Sequence, residues 1–577
     1  MLNRGLKISI YSVLSVASFF ACFGTGSSYG EIISSDRRID WRPGVPGGVP
    51  VRTTIFANVR NAPYNASGNG STDDHGAIQS ALDNCPEGQV VFVPAGTYRI
   101  TDRIRIPGGV VLRGEGSNTR IMGDTTDQGL IVAGSWNPNG EEARILSGHT
   151  KGSTSLSVSD ASAFSIGDYI VVDQLNDPAL VNIDDCTWVG RDNNARALGQ
   201  IVEIVEKSGN TLTIDPALHY AFSAAQVPEI KIVNPNVVEN VGLEDLYIER
   251  VGSWGKFNVW FQSTAYSWIK NVESAFVRGR HIQLSQCFRG VVRDCYVHEA
   301  HNYCAGANAY GISIYDKTSE TLVENNIGYF LNVGIVLEGS GAGNVIAYNY
   351  LDDMHNCDAP DTSWLMADLS ANHCAHPYMN LFEGNQVSHI SPDFEHGSSS
   401  HQTFFRNYAD RDSAGRTLYH RMPVDIWFYN RFMTLVGNVL GKQGDSVEGS
   451  YEIEGRECGG NEIAVYKLGY NSDGDCNPTS NDPQVLATLL RHGNFNYVTN
   501  SVVWDPNISD QDIPNSLYLQ SKPSFFGSTR WPPFGSDLAP RVVSLPAKKR
   551  FDQLQSNTTD TVSPSAPTNL RAVLDPN

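Results

Sequence analysis

The segment Ser391-Pro392-Asp393-Phe394-Glu395-His396-Gly397-Ser398-Ser399-Ser400-His401 is the part of the chain richest in side chains that could do chemistry. Asp393 and Glu395 stand two apart, so on a strand both face the same side. Carboxylates held that close repel, which favours one protonated and one ionised group. A proton donor beside a base or nucleophile is what cleavage of a glycosidic bond needs. Asp425, Asp368 and Glu338 lie in strand-like phrases of neighbouring repeats and are expected to bring further carboxylates to the same face, with His401 as an additional candidate base. Tyr315, Trp427 and Tyr429 offer rings for a sugar to stack on, and Lys317 and Arg421 offer cations to hold it. His396 falls in the opposite phase, where it is as readily a hydrogen-bonded core histidine. A solvated acidic face is the competing reading of the whole set.

A different chemistry, β-elimination, takes a proton from the carbon beside a uronate carboxylate. It needs Ca²⁺ or Arg to neutralise that carboxylate and a Lys, Arg, His or Tyr base. Tyr315, Lys317, His401, Arg416, His420 and Arg421 are of the right types. Lys+Arg 42 against Asp+Glu 62 gives a net charge of −20, a poor field for a polyuronate unless calcium bridges it. Hydrolysis is therefore the expected reaction and elimination the alternative, with calcium as cofactor only in the second case. Binding of a glycan without catalysis is a third reading, against which the paired acids speak. The charge argues against nucleic acid and anionic membrane as partners. The absence of any CxxC argues against structural zinc. A monomer acting on a polysaccharide is the expectation.

Such side chains need a frame that turns alternate residues of successive short strands to one face. From residue 237 a phrase of apolar residues ending in Asn or Asp recurs at Asp245, Asn271, Asp294, Asn325, Asn349, Asn385, Asn407 and Asn438, at intervals of 22 to 36 residues. A base period near 22 with excesses at fixed places marks a β-solenoid whose loops grow at one corner. Stacked Asn and Asp side chains can hydrogen-bond along the stack and tolerate left-handed turns. About a dozen residues before each mark lies another strand: 281–284, 311–315, 334–338, 393–396 and 425–429, with 364–368 in the irregular coil. Alternation puts Ile282, Leu284, Ile312, Ile314, Ile335, Leu337, Ile426 and Phe428 inside. Gln283, Ser313, Tyr315, Val336, Glu338, Asp393, Glu395, Asp425, Trp427 and Tyr429 then face out. Excess residues at 295–310, 350–363 and 408–424 would wall a groove beside that face. Four residues past the marks, His298, Tyr329, Asp353, His389 and Arg411 form a second column of titratable and polar groups.

Upstream, Ser71-Thr72-Asp73-Asp74-His75-Gly76-Ala77-Ile78-Gln79-Ser80-Ala81-Leu82 reads as a short helix burying Ile78, Ala81 and Leu82, with Asp73 and Asp74 capping it. Strand-turn-strand text follows: Val90-Val91-Phe92-Val93-Pro94-Ala95-Gly96-Thr97-Tyr98-Arg99-Ile100, Ile104-Arg105-Ile106 and Val110-Val111-Leu112-Arg113-Gly114. Over residues 71–121 this run resembles the opening of the pectate-lyase-like, right-handed parallel β-helix proteins, which include polygalacturonases, rhamnogalacturonases and polysaccharide lyases. The resemblance implies an all-β parallel β-helix with a short N-terminal capping helix, and a polysaccharide bound in a groove. Asp352-Asp353 and His396-Gly397 echo polygalacturonase elements, but the Asn-Thr-Asp and Arg-x-Lys partners of that family are missing. One fold hosts many chemistries, so the residues must carry the function.

Composition fits this frame: apolar residues make up 41%, and Tyr 24, Phe 23, Trp 10 and Gly 53 favour strands and turns. Arg4 and Lys7 precede an apolar run from Ile8 to Phe23, an export signal with a cut after Gly30; lipid attachment at Cys22 is the weaker alternative. Loss of residues 1–30 removes those two cations and no acid, leaving −22. A secreted or periplasmic protein is expected, with no other segment able to span a membrane. Oxidising surroundings allow Cys357 with Cys374 and Cys458 with Cys476 to close loops, though connectivity does not follow from sequence. The expected layout is the signal, 1–30; a cap and first coils, 31–142; an inserted small β-subdomain, 143–222; the main solenoid and C-terminal cap, 223–550; and a linker, 551–577. The linker ends in a run, Ala566-Pro567-Thr568-Asn569-Leu570, that is similar to the start of a fibronectin type III module.

Overall fold

The computed structural model describes residues 32–558, apart from 124, 127, 138, 253–254, 305, 357–364, 413–421, 445–449, 455–463 and 472–480. The signal segment with Cys22, the Cys458–Cys476 pairing, Arg416, His420, Arg421 and the terminal fibronectin-like run fall outside the described residues.

Short β-branched and aromatic runs separated by Asn, Asp and Gly give strands, most of two to six residues and up to 13 in the first coils, that stack in parallel, coil on coil. One sheet of 22 strands folds around the Asn corner, so that Val291–Arg293 and Tyr296–Ala300 lie on its two faces. A second sheet of 11 strands runs from Ile104–Ile106 through Arg280–Ser285, Tyr310–Tyr315, Val333–Glu338, Leu369–Cys374, Ile390–Pro392 and Val424–Ile426. The chain is a parallel β-helix, with the right-handed crossovers such strands take. Ile282, Ile312, Ile335, Leu369, Ile390 and Val424 are register partners on consecutive coils and are all fully buried. Each buried aliphatic of this inner column contributes roughly 1.5–3 kcal/mol to the shared core.

The Asn corner holds two columns where one is predicted. Asn326, Asn349, Asn385, Asn407, Asn438 and Asn494 form the inner ladder, each amide donating to the next Oδ1 at 2.8–3.1 Å. One residue earlier on each coil, Asp245, Asn271, Asp294, Asn325, Tyr348, Gly384, Arg406, Gly437 and Gly493 take the left-handed turn, with φ between 50° and 69°. Asp294 and Asn325 therefore leave the predicted ladder for the turn column, where Asn325 donates to Asp294 at 2.7 Å. Cys295 fills the ladder position instead, its N–H bound to Asn326 Oδ1 at 2.9 Å. Asn suits both places, because its amide can satisfy the stack and its short side chain tolerates positive φ. A second amide stack, through Asn344, Asn380 and Gln402, lines the preceding corner.

The strands Glu142–Ser147, Ser155–Val158, Tyr169–Asp173, Gly199–Ser208, Thr211–Asp215 and Glu229–Ile232 close an antiparallel barrel around Leu156, Ile170, Val172, Val202, Leu212 and Ile230. Its connection 174–198 leaves the barrel and lies on the C-terminal ends of the second-sheet strands. Asn182 N–H donates there to Ser398 Oγ at 2.8 Å, and Asn194 to Ala375 O at 3.1 Å. Cys186 and Cys374 form a disulfide at the same place, so the Cys357–Cys374 loop is not formed; proximity in sequence does not decide which coils the insertion reaches. Cys85, Cys287 and Cys295 are free thiols.

The helix His75–Asn84 buries Ile78, Ala81 and Leu82. Asp74 occupies its N-cap position, but its carboxylate accepts from Ser67 and Gly68 N–H at 2.5 and 2.9 Å rather than from the helix. After the last coil the chain returns along the first sheet. Arg406 pairs with Asp537 at 2.7 Å, Trp531 donates to Tyr348 Oη at 2.9 Å, and Arg550 donates to Asp294 O at 2.9 Å. Residues 551–558, assigned above to a linker, continue the helix Pro546–Thr558, because Phe551 finds Tyr329 and Tyr350 to pack on. Among the described residues no helix is long and apolar enough to cross a membrane.

Candidate active site

The outer face of the second sheet carries a chain of charged and aromatic groups across three coils. Glu338 ends its strand buried, 3% exposed, and accepts from Arg280 Nη2 at 2.5 Å, Arg280 Nε at 3.0 Å and Ser313 Oγ at 2.6 Å. Burial alone would raise this carboxyl, but the Arg280 charge and hydrogen bonds outweigh it and hold Glu338 below the usual carboxylate range. The guanidinium lies 5.2 Å from the Tyr310 ring and 6.0 Å from that of Tyr315.

One coil on, His373 joins two partners. Its Nδ1 lies 2.9 Å from Asp393 Oδ2 and its Nε2 3.0 Å from Tyr310 Oη. Burial would depress the imidazole; the Asp393 charge and hydrogen bond, aided by Glu338 and Glu395, raise it instead to about 9. His373 is then protonated at neutral pH, donating to both neighbours. A bulge puts it there. Val336 pairs with Ser370 and Glu338 with Cys374, so three residues, Ala371 to His373, stand opposite Leu337 alone.

Asp393 and Glu395 are not on a strand. The strand stops at Pro392, and Asp393 Oδ1 accepts the Glu395 N–H at 3.0 Å, closing a turn. Asn372 and Asn430 pin that turn by donating to Asp393 O at 2.7 and 2.9 Å. Asp393 is half-buried and Glu395 exposed at its tip. Burial and then the Asp393 charge raise the Glu395 carboxyl, with His373 opposing. His396 is not inward: its Nδ1 lies 2.6 Å from Asp185 Oδ1 on the barrel connection, and its ring contacts those of His373 and Trp188.

Asp425 lies further toward the C-terminal end, where Tyr470 Oη and Trp427 Nε1 donate to its Oδ2 at 2.7 and 3.0 Å. The other predicted residues are drawn elsewhere. Asp368 is fully buried at the corner before its strand, accepting from Ser388 and His389 N–H at 3.0 and 2.7 Å. Burial, then Asp352, lifts it well above the ordinary aspartate range, and it does not face the groove. His401 sits at the opposite corner, stacked on Phe432 at 4.8 Å, with burial pushing it down to about 3. Lys317 is buried beneath the barrel, bound to Ala197 O, so it holds the insertion rather than facing a ligand. Tyr429 reaches Pro178 O on the barrel connection, with Arg431 stacked 3.7 Å from its ring. Tyr315 stays half-exposed beside Arg280 and donates to Trp188 O at 3.4 Å. Of the second column, His298 lies between Glu273 and Glu299, each 3.3 Å away, on the first sheet.

Arg280, Tyr310, His373, Asp185 and Trp188 escape the sequence reading. Arg280 and Tyr310 share the parity of the inward Ile282 and Ile312, the bulge hides His373, and Asp185 and Trp188 come from the insertion. A cleft of about 750 Å³ opens further along the sheet and is lined by His75, Asp83, Asp102, Arg103 and Arg105. Arg105 is five strands from Val336, ~24 Å at the usual spacing.

Two family models match parts of the chain. "Rhamnogalacturonase A/epimerase, pectate lyase-like" covers residues 56–166, and "Periplasmic copper-binding protein (NosD)" covers residues 277–385. Among the described residues no group of three His, Cys, Asp or Glu side chains is placed to hold a metal ion. A probable glucan endo-1,3-beta-glucosidase of Arthroderma benhamiae is 40% identical over 60 residues, 10% of this chain and 7% of that protein. Similar solved structures include the tailspike gp49 of Pseudomonas phage LKA1, with TM-score 0.46, 16% identity and 71% of each chain covered. The mannuronan C-5 epimerase AlgE4 A-module of Azotobacter vinelandii has TM-score 0.37 and 13% identity, over 71% of this chain and 94% of that one. PfbA, a surface adhesin of Streptococcus pneumoniae, has TM-score 0.36 and 11% identity over 73% and 92%. The coiled parallel sheets and stacked corner amides make this chain a parallel β-helix protein, one that is similar over residues 56–166 to the pectate-lyase-like rhamnogalacturonase/epimerase family.

Proposed function

We propose that this is a secreted polysaccharide hydrolase acting on a glycan of low charge, with its active site on the second-sheet face around Glu338, His373, Asp393 and Glu395. The observation that carries the reading is the contrast between Glu395, an exposed acid whose pKa is raised, and its neighbour Asp393, tied to the imidazolium of His373. Glu395 is the proton donor to the leaving oxygen, and Asp393 the anion that takes a proton from water or attacks the sugar. Trp427 and Tyr315 line the approach. Low substrate charge is supported by pairing among the described residues: Arg280 is matched by Glu338 and His373 by Asp393.

The Tyr310–His373–Asp393 chain supports a second reading, β-elimination with the tyrosine and histidine as the proton-transfer pair. In that case calcium would have to offset the substrate carboxylate. Incubation of the protein with neutral and uronic-acid glycans separates the two. New reducing ends without an ultraviolet-absorbing product support hydrolysis; an absorbing, unsaturated product sinks it in favour of elimination. Tight binding with neither signal on any glycan points to a binding protein.

A further inference from the structure

We propose that Trp188, presented by the inserted barrel, is a sugar-stacking residue of the second-sheet site, and that the Cys186–Cys374 bridge holds it there. The inference rests on the proposed location of the active site. The Trp188 side chain is 51% exposed, yet the backbone around it is fixed. Cys186 and Val189 on either side are 0% and 1% exposed and pack with Cys374. Gly190 N–H donates to Asp316 Oδ1 at 2.9 Å, and Asn194 donates to Cys186 O at 3.1 Å. A large apolar ring on a rigid backbone and open to water is poised for a partner.

Its neighbours say which partner. The Trp188 ring meets His396 edge-on at 4.9 Å, and His396 meets His373, the Asp393 partner, at 4.8 Å. Asp184 and Asp185 precede it in sequence and bring acceptors to the same rim, with Asp185 bound to His396. An apolar face beside carboxylate acceptors matches a pyranose ring, which has a C–H face and a rim of hydroxyls. Cys374 directly follows His373, so the disulfide joins the stacking loop to the strand that carries the imidazole. An unbridged loop would have to order itself on each binding event.

Calorimetry with neutral β-1,3-gluco-oligosaccharides and with oligogalacturonates, on the full chain, tests this. Trp188→Ala should weaken the oligosaccharide that binds by about tenfold and raise KM with little change in kcat. Trp188→Tyr should recover most of the loss, and the paired variant Cys186→Ser/Cys374→Ser should show the same KM rise. Trp188→Ala should keep the wild-type melting temperature. Wild-type affinity in Trp188→Ala, or no binding of either probe by the wild type at millimolar concentration, overturns the inference. The two readings fail separately. Trp188-dependent binding without cleavage sinks the hydrolase and leaves the stacking residue. Glu395-dependent cleavage that ignores Trp188→Ala does the reverse.

Discussion

His373 hydrogen-bonds through Nδ1 to Asp393 Oδ2 at 2.9 Å, across a bulge that sequence register conceals. The imidazole is raised to about 9 from the 6.5 of a free histidine, so the pairing stabilises the fold fully below about pH 6.5 and is lost as pH climbs through about 9. His373 is only 20% exposed, so the effect is of order 2–3 kcal/mol. Thermal melts should show wild type well above His373→Gln at pH 6 and the gap closing by about pH 10. A gap independent of pH would mean the imidazole is not charged.

Glu395→Gln and Asp393→Asn keep shape while removing titration. Each should lower turnover by about 10² or more on a cleaved glycan, with melting temperature little changed for the exposed Glu395. Full activity in both would move the reaction away from this turn, toward the Asp425 group with Trp427 and Tyr470.

Breaking the Arg280–Glu338 pair should be costly because both ends are buried. Arg280→Met leaves an unpaired carboxylate and should lose roughly 3–5 kcal/mol in urea unfolding. Arg280→Met with Glu338→Leu should recover most of that. If the double variant were as unstable as the single, the arginine's packing on Tyr310, not its charge, would be what matters.

The two corner columns should respond differently to substitution. Asn385→Ala removes a fully buried amide bonded to Asn349, Asn407 and Ile346 O, and should cost about 3 kcal/mol or more. Asn271→Gly, exposed in the turn column, keeps the left-handed turn and loses one bond to Asp245, so it should cost under about 1 kcal/mol. Equal losses would contradict the assignment of the columns.

Chain ending at residue 545 should lose the Phe551 contacts with Tyr329 and Tyr350 and the Arg550 bonds to the Asp294 corner. Proteolysis should then begin near residues 294–330, while the coils beyond residue 380 keep their protection. Unchanged protection at 294–330 would show that the helix Pro546–Thr558 adds nothing there.

Sequence alone determined the solenoid. Period, apolar alternation and corner Asn are local properties repeated coil after coil, and repetition makes each strand's inward face legible: Ile282, Ile312 and Ile335 are read and buried as read. It also brought Glu338, Asp393 and Glu395 toward one face, although a turn and not a strand presents the last two. What it could not supply was every feature that depends on two distant segments meeting. The bulge that swings His373 toward Asp393 exists only as a mismatch between neighbouring coils. Arg280 leaves the core because Glu338, 58 residues on, receives it. Asp368, His401 and Lys317 have the right types, but a corner, a Phe432 stack and the barrel interface claim them first, since a buried polar group takes whichever partner lies nearest in space. The barrel connection reaches the site from 188 residues away, and only tertiary structure decides that Cys186 finds Cys374 and sets Trp188 beside His396.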